Sequence, residues 1–169
     1  MSGATVIAGL TRNPARRWIN LRTGLRLKAA MTGFVLFASV IAFAQSTPVG
    51  LWRNIDDKTG EAKAEIRITE NAGVLNGRIE KILRKDAKPD EKCVECKDER
   101  KDQPMVGLEI IRGVKKSADG EGWQDGKILD PENGREYKLR LTPIEGGAKL
   151  QVRGSFGPFW RTQTWVRVQ

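Results

Sequence analysis

From Gln45 onward the sequence predicts an all-β protein, an antiparallel up-and-down barrel of eight strands. Three observations point there. Apolar and polar residues alternate with period two in several segments, turn-forming residues separate those segments at short intervals, and only Arg84–Gln103 breaks the rhythm. A meander of that length must bury one face and manage two edges, and closing on itself does both. A two-sheet β-sandwich is the structural alternative.

The elements follow in chain order. Val49–Ile55 is the first candidate strand, and Asp56–Gly60 turns the chain into the second. In Glu61–Ile68 the residues Ala62, Ala64, Ile66 and Ile68 share one face, and Glu61, Lys63, Glu65 and Arg67 the other. That is the pattern of a strand with one wet face. Asn71-Ala72-Gly73 leads into Val74–Leu83. Met105–Gly113 and Trp123–Leu129 come next. Asp130-Pro131-Glu132-Asn133-Gly134 holds an Asn-Gly pair, a strong hairpin signal. Beyond it Tyr137–Leu141 turns Tyr137, Leu139 and Leu141 inward. Glu145-Gly146-Gly147 precedes Ala148–Arg153, with Ala148, Leu150 and Val152 inward, and Arg161–Val168 is last. Arg84–Gln103 is highly charged, has almost no apolar content, and reads as a long loop with room for a helical turn.

Residues 1–44 read as a secretory signal. Arg12, Arg16, Arg17, Arg22, Arg26 and Lys28 precede an apolar run, Ala29–Phe43, that ends in Ala42-Phe43-Ala44. A basic start, a short apolar run and small residues at the cleavage positions form that signature. An uncleaved anchor is the alternative, but the run is shorter than the roughly 20 apolar residues a spanning helix needs. Export to the periplasm or the medium is therefore expected, with 45–169 as a single domain. The whole chain carries 30 basic and 21 acidic residues. All six charges of the signal are basic, which leaves the remainder at 24 against 21, or +3. The pairs Arg84-Lys85 and Lys115-Lys116 are too short for a phosphate-binding stripe, so no nucleic-acid partner is expected.

Cys93 and Cys96 lie in the charged loop. In an exported protein they read as a structural disulfide clamping that loop, with redox or metal roles as alternatives. Two cysteines fall short of the four ligands of a structural zinc site. The chain has no histidine, which removes Ser-His-Asp, Cys-His and His-metal chemistry. No metal or cofactor is expected. Asp and Glu fall mostly at turns and outward positions, where solvation explains them. A carboxylate-pair enzyme is thus the minor alternative to a protein without catalysis.

Aromatic residues supply the candidate ligand contacts. Trp123, Tyr137, Phe156 and Trp160 are assigned to the wall of a cavity that opens at one end of the barrel. The expected occupant is a small hydrophobic or lipid-like molecule. A second expectation is an interaction module of the cell envelope, with the Cys93–Cys96 loop as its contact surface for a protein partner.

Gly50-Leu51-Trp52 resembles the Gly-x-Trp motif of lipocalins. That resemblance implies that Trp52 closes the barrel base against an arginine of the last strand, Arg161 or Arg167. Gly50, Trp52, Arg161 and Trp165 are accordingly assigned to closure. Further blocks follow in order. They are Cys93-x-x-Cys96, Gln103–Leu108, Trp123-x-x-Gly126-x-Ile128-Leu129-Asp130-Pro131, Gly134-x-x-Tyr137, Leu150-x-Val152-Arg153-Gly154 and Arg161–Trp165. With them the chain resembles the domain of unknown function 2147 family, small exported bacterial proteins that are lipocalin-like in fold and carry no settled activity. Members often have a Gly before the Arg-Thr-Gln-Thr-Trp block. Trp160 stands there in this chain, and its ring is expected to narrow the barrel mouth.

Overall fold

The computed structural model describes residues 46–169. The signal segment and its cleavage point lie outside the described residues. Among the described residues eight strands run in sequence: β1 (Gly50–Ile55), β2 (Ala62–Asn71), β3 (Val74–Ile82), β4 (Glu109–Lys116), β5 (Trp123–Asp130), β6 (Arg135–Ile144), β7 (Lys149–Phe156) and β8 (Phe159–Arg167). Each pairs antiparallel with its neighbours in sequence, and β1 pairs with β8 to close the barrel. The up-and-down barrel, rather than the sandwich, is the architecture.

Turn chemistry sets the hairpins. Ala72 and Gly73, with φ of 49° and 79°, join β2 to β3. Two central residues with positive φ give the backbone twist that a two-residue hairpin needs. At the β7–β8 turn the order is reversed: Gly157 has φ 56°, and Pro158 locks φ at a negative value. That tight turn lets β7 run on to Phe156 and β8 begin at Phe159, so the hairpin is longer than its sequence pattern predicts. A short 3-10 turn, Glu145–Gly147, connects β6 to β7. It leaves Ala148 exposed, against the inward position expected from alternation.

The core fills one end of the barrel. Trp52, Ile68, Leu75, Ile111, Val114, Leu141, Leu150 and Trp165 are all essentially inaccessible there. Each large apolar side chain so buried contributes about 1.5–3 kcal/mol of transfer free energy. At two points strands approach closely over a glycine. A Cβ on Gly77 would press on the Ile111 side chain, and one on Gly126 would overlap Val114.

Residues 83–108 form the long connection from β3 to β4. It contains no helix, and Met105–Leu108, expected in a strand, belongs to it. Local bonds hold it instead. The N–H of Cys93 donates to Gln103 O at 2.9 Å, that of Met105 to Glu91 O at 2.8 Å, and that of Gly107 to Ile79 O at 2.7 Å. Cys93 and Cys96 form the disulfide, and both are buried. No helix among the described residues is long and apolar enough to cross a membrane.

Candidate functional site

The two ends of the barrel differ in construction, and the difference defines the site. At the base, Trp52 lies under the Arg167 guanidinium, 4.2 Å from its ring centre. The indole N–H of Trp52 donates to Pro48 O at 2.6 Å. Arg167 donates to Gly147 O at 2.6 Å, Thr47 O at 2.7 Å and Val49 O at 2.9 Å. Burial pulls the pKa of this guanidinium below the ordinary arginine value. Gly50 takes φ 139°, and a Cβ there would strike the guanidinium. The motif Gly50-x-Trp52 thus makes room for one cation and stacks a ring beneath it.

The assignment of Arg161 to this closure is corrected by that geometry. Arg161 lies at the opposite end and donates two hydrogen bonds to Asp57, at 3.0 and 2.9 Å. Six residues along one strand span most of the barrel's height, so the two arginines of β8 serve different ends.

At the mouth the interior is hollow, with a cavity of about 450 Å³. Its apolar wall comprises Ala64, Ile66, Ile79, Ile82, Ile110, Leu129 and Val152. Gly154 and Gln163 lie on β7 and β8, and Met105 comes from the long connection. Of the four predicted ligand contacts, Tyr137 and Phe156 line this space, with ring centres 6.4 Å apart and edges crossed at 73°. Trp160 reaches the rim, but strand alternation sets its ring on the face opposite Phe159. There the Arg153 guanidinium lies 4.9 Å from its centre. It therefore does not cap the mouth. Trp123 is not at the cavity. It begins β5 at the base end, where Lys116 Nζ lies 5.9 Å from its ring. A register shift between Trp123 and Gly126, with Asp125 at φ 65°, separates it from the inward rows farther along.

Several rim residues carry no signal in the sequence. Lys63 alternates with the inward alanines and reads as solvent-facing. The β1–β2 register slips at Asn54/Ile55, leaving Lys63 without a ladder partner on β1. A bulge of that kind re-aims a side chain. Lys63 lines the mouth and donates to Glu132 Oε1 at 2.7 Å, with Asp56 3.5 Å away. Glu132 above all, and then Asp56, hold its pKa above the usual lysine value. The backbone N–H groups of Thr59 and Lys58 bring Asp56 down to about 2. Arg84, also at the rim, donates to both oxygens of Glu91 at 2.6 and 2.7 Å. On the wall, Asn54 Oδ1 is buried and has no hydrogen-bond partner among the described residues. The lining carboxylates are Asp130 and Glu132, both at the β5–β6 turn. No group of three or more Cys, Asp or Glu side chains among the described residues is placed to hold a metal ion.

The long connection is fastened beside the mouth by one buried charge. Arg100 donates to both oxygens of Asp98, to Glu136 Oε1 at 2.7 Å and to Glu109 O at 3.1 Å. Asp98 lies well below the usual carboxylate range, chiefly through Arg100. Glu136 is lowered by Lys127 first and Arg100 second. Gly134 lies so close to Glu95 that no side chain fits between the two loops.

Comparison with known proteins agrees with this geometry. Residues 50–167 match a family model described as an uncharacterized protein conserved in bacteria, DUF2147. The chain belongs to the DUF2147 family. The matched span begins at Gly50 and ends at Arg167, the two residues that meet at the base of this DUF2147 barrel. Among solved structures, a similar one is HP1028 from the human pathogen Helicobacter pylori, described as belonging to the lipocalin family. It is 15% identical, covers 74% of this chain and 85% of its own, and superposes with a TM-score of 0.62. At that identity the likeness is one of fold. No curated protein matches the chain.

Proposed function

We propose that this DUF2147 barrel is exported to the periplasm or medium and holds one small hydrophobic or lipid-like molecule, without chemistry, in its upper cavity. The observation that carries the reading is the half-filled interior. A solid base supports an open space of about 450 Å³ walled mainly by aliphatic side chains. That volume falls within the range of pockets for single small ligands. Its polar groups gather mainly at the rim, where Lys63, Arg84 and Arg161 stand with Asp130 and Glu132, while Asn54 Oδ1 and Gln163 lie on the wall. An occupant with an apolar body and one hydrogen-bond donor suits this wall, because a donor facing Asn54 relieves a buried unpaired oxygen.

Titration with a dansylamino fatty acid, whose sulfonamide N–H supplies the donor, tests the reading. Saturable binding at one molecule per barrel is expected. Ala64→Trp, which puts an indole into the cavity from its wall, is expected to abolish that binding while the protein stays folded by circular dichroism. Absence of saturable binding by the unsubstituted protein, or undiminished binding by Ala64→Trp, overturns it. The export part stands or falls separately, on whether protein recovered from the periplasm or medium begins at Gln45.

A further inference from the structure

The tip of the β7–β8 hairpin is the most apolar exposed place among the described residues. Phe156 is 63% exposed, Phe159 75% and Trp160 65%. They flank a two-residue turn, Gly157-Pro158, and Phe156 faces Phe159 across it. Three large rings on one tip form a patch that a soluble surface rarely leaves uncovered. The charged residues of the hairpin's own strands are all positive, while the carboxylates that line the mouth, Asp130 and Glu132, belong to the β5–β6 turn. Arg153 lies over Trp160, Lys138 pairs with Ser155 on the neighbouring strand, and Arg161 is balanced by Asp57. Phe156, Phe159, Trp160 and Arg161 also belong to the rim of the cavity.

We propose that this tip docks on an anionic phospholipid bilayer, with the cavity mouth opening at the headgroups. Trp settles at the boundary between headgroup and acyl chain, where its amphipathic ring is half solvated, and Phe inserts on the apolar side. Arg153 and Lys138 add attraction to a negative leaflet. The tight turn fixes Phe156 opposite Phe159, with Trp160 on the other face of the same tip, so little ordering is needed on contact. Docking there places the cavity next to a source or sink of apolar molecules. In purpose the inference rests on the ligand-holding reading, but its test does not.

The test uses the chain from Gln45, whose barrel closes within residues 50–167 and lies inside one compact unit. Flotation with vesicles of phosphatidylcholine containing phosphatidylglycerol is measured with no ligand added. Partition into these vesicles is expected, weaker with phosphatidylcholine alone. The double variant Phe159→Ser, Trp160→Ser is expected to lower it at least tenfold, from the burial each ring forfeits. Arg153→Ser is expected to lower it about fivefold, and added salt to weaken it further. Acyl-brominated lipids are expected to quench tryptophan emission in the unsubstituted protein, a readout that needs no variant, and Trp160→Phe to remove the quenching. Failure to float, flotation unchanged in the double variant, or absence of quenching overturns the inference. So does a concentration-dependent dimer that the double variant abolishes while neither protein floats, for the patch is then a self-contact. Fatty-acid binding in free solution reports the cavity alone, so a protein that binds the probe but not vesicles loses only the docking.

Discussion

The base and the mouth of this barrel use the same materials to opposite effect. Each has an arginine of β8 that hydrogen-bonds another part of the chain. At the base, Arg167 is enclosed, donates to three carbonyl oxygens and covers Trp52. At the mouth, Arg161 holds one carboxylate in solvent. A cation contributes to folding when its partners are fixed and shielded, and little when water competes for them. The base is therefore where stability is concentrated. The mouth, relieved of that task, can leave space unfilled.

The sharpest way to break the contrast is to hollow out the base. Trp52→Ala removes an inaccessible ring, the floor beneath Arg167 and the hydrogen bond to Pro48. A loss of about 3–5 kcal/mol is expected, from the usual cost of deleting a buried aromatic. Urea unfolding followed by far-ultraviolet circular dichroism measures it. Arg167→Met keeps bulk over the ring but silences several charged donors. It is expected to cost about 3 kcal/mol, because Gly147, Val49 and Thr47 lose a charged partner. If the same melts show less than about 1 kcal/mol for either variant, the base is not the anchor described here.

Much of this was legible in the sequence. Period-two alternation in β2, β6 and β7 and the Asn-Gly and Gly-rich turns predict the eight-stranded barrel, and the likeness of Gly50-x-Trp52 to the lipocalin motif implies a closed base. What escaped has a common physical cause. A bulge shifts the phase of alternation without changing composition, so Lys63 turned to the mouth and Trp123 stayed away from it. The choice between Arg161 and Arg167 is a matter of height along one strand, which spacing within a motif does not encode. Arg100 is the plainest miss. In a run as charged as Arg84–Gln103 every residue reads as solvated, yet Arg100 is buried because Asp98, nearby in sequence, and Glu136, distant in sequence, converge on it.

That cluster gives the comparison a third term, a fastening of intermediate strength beside the mouth. Arg100→Met is expected to cost about 2 kcal/mol. This is below the usual range for breaking a buried pair, since both carboxylates remain partly solvated. The pH dependence has a definite sign. Asp98 and Glu136 have folded pKa values below their ordinary ones, so their contribution is complete above the ordinary carboxylate range and is lost as pH falls through the folded values. Relative to the intrinsic rate at each pH, protection of the Cys93 and Met105 amides against hydrogen exchange is expected to fall below about pH 4, the ordinary range for these groups. It should do so before the β1 and β8 amides respond. In Arg100→Met the loop amides are expected to exchange fast already at neutral pH. Simultaneous release of loop and base amides would show that the loop has no separate fastening.

The smallest effect belongs to Arg161. Its ion pair with Asp57 joins β8 to the β1–β2 turn, so geometry alone makes it look like a clasp across the mouth. Its side chain is 59% exposed and that of Asp57 37%, and exposed pairs of this kind are typically worth under about 1 kcal/mol. Arg161→Met is therefore expected to shift the urea midpoint only slightly, and less still in high salt, where the native pair is already screened. Fatty-acid affinity is the more informative readout. A variant with unaltered stability but altered affinity would assign Arg161 to the occupant of the cavity. A loss as large as that of Arg167→Met would erase the distinction between the two ends, and with it the reason the upper barrel can stand half empty.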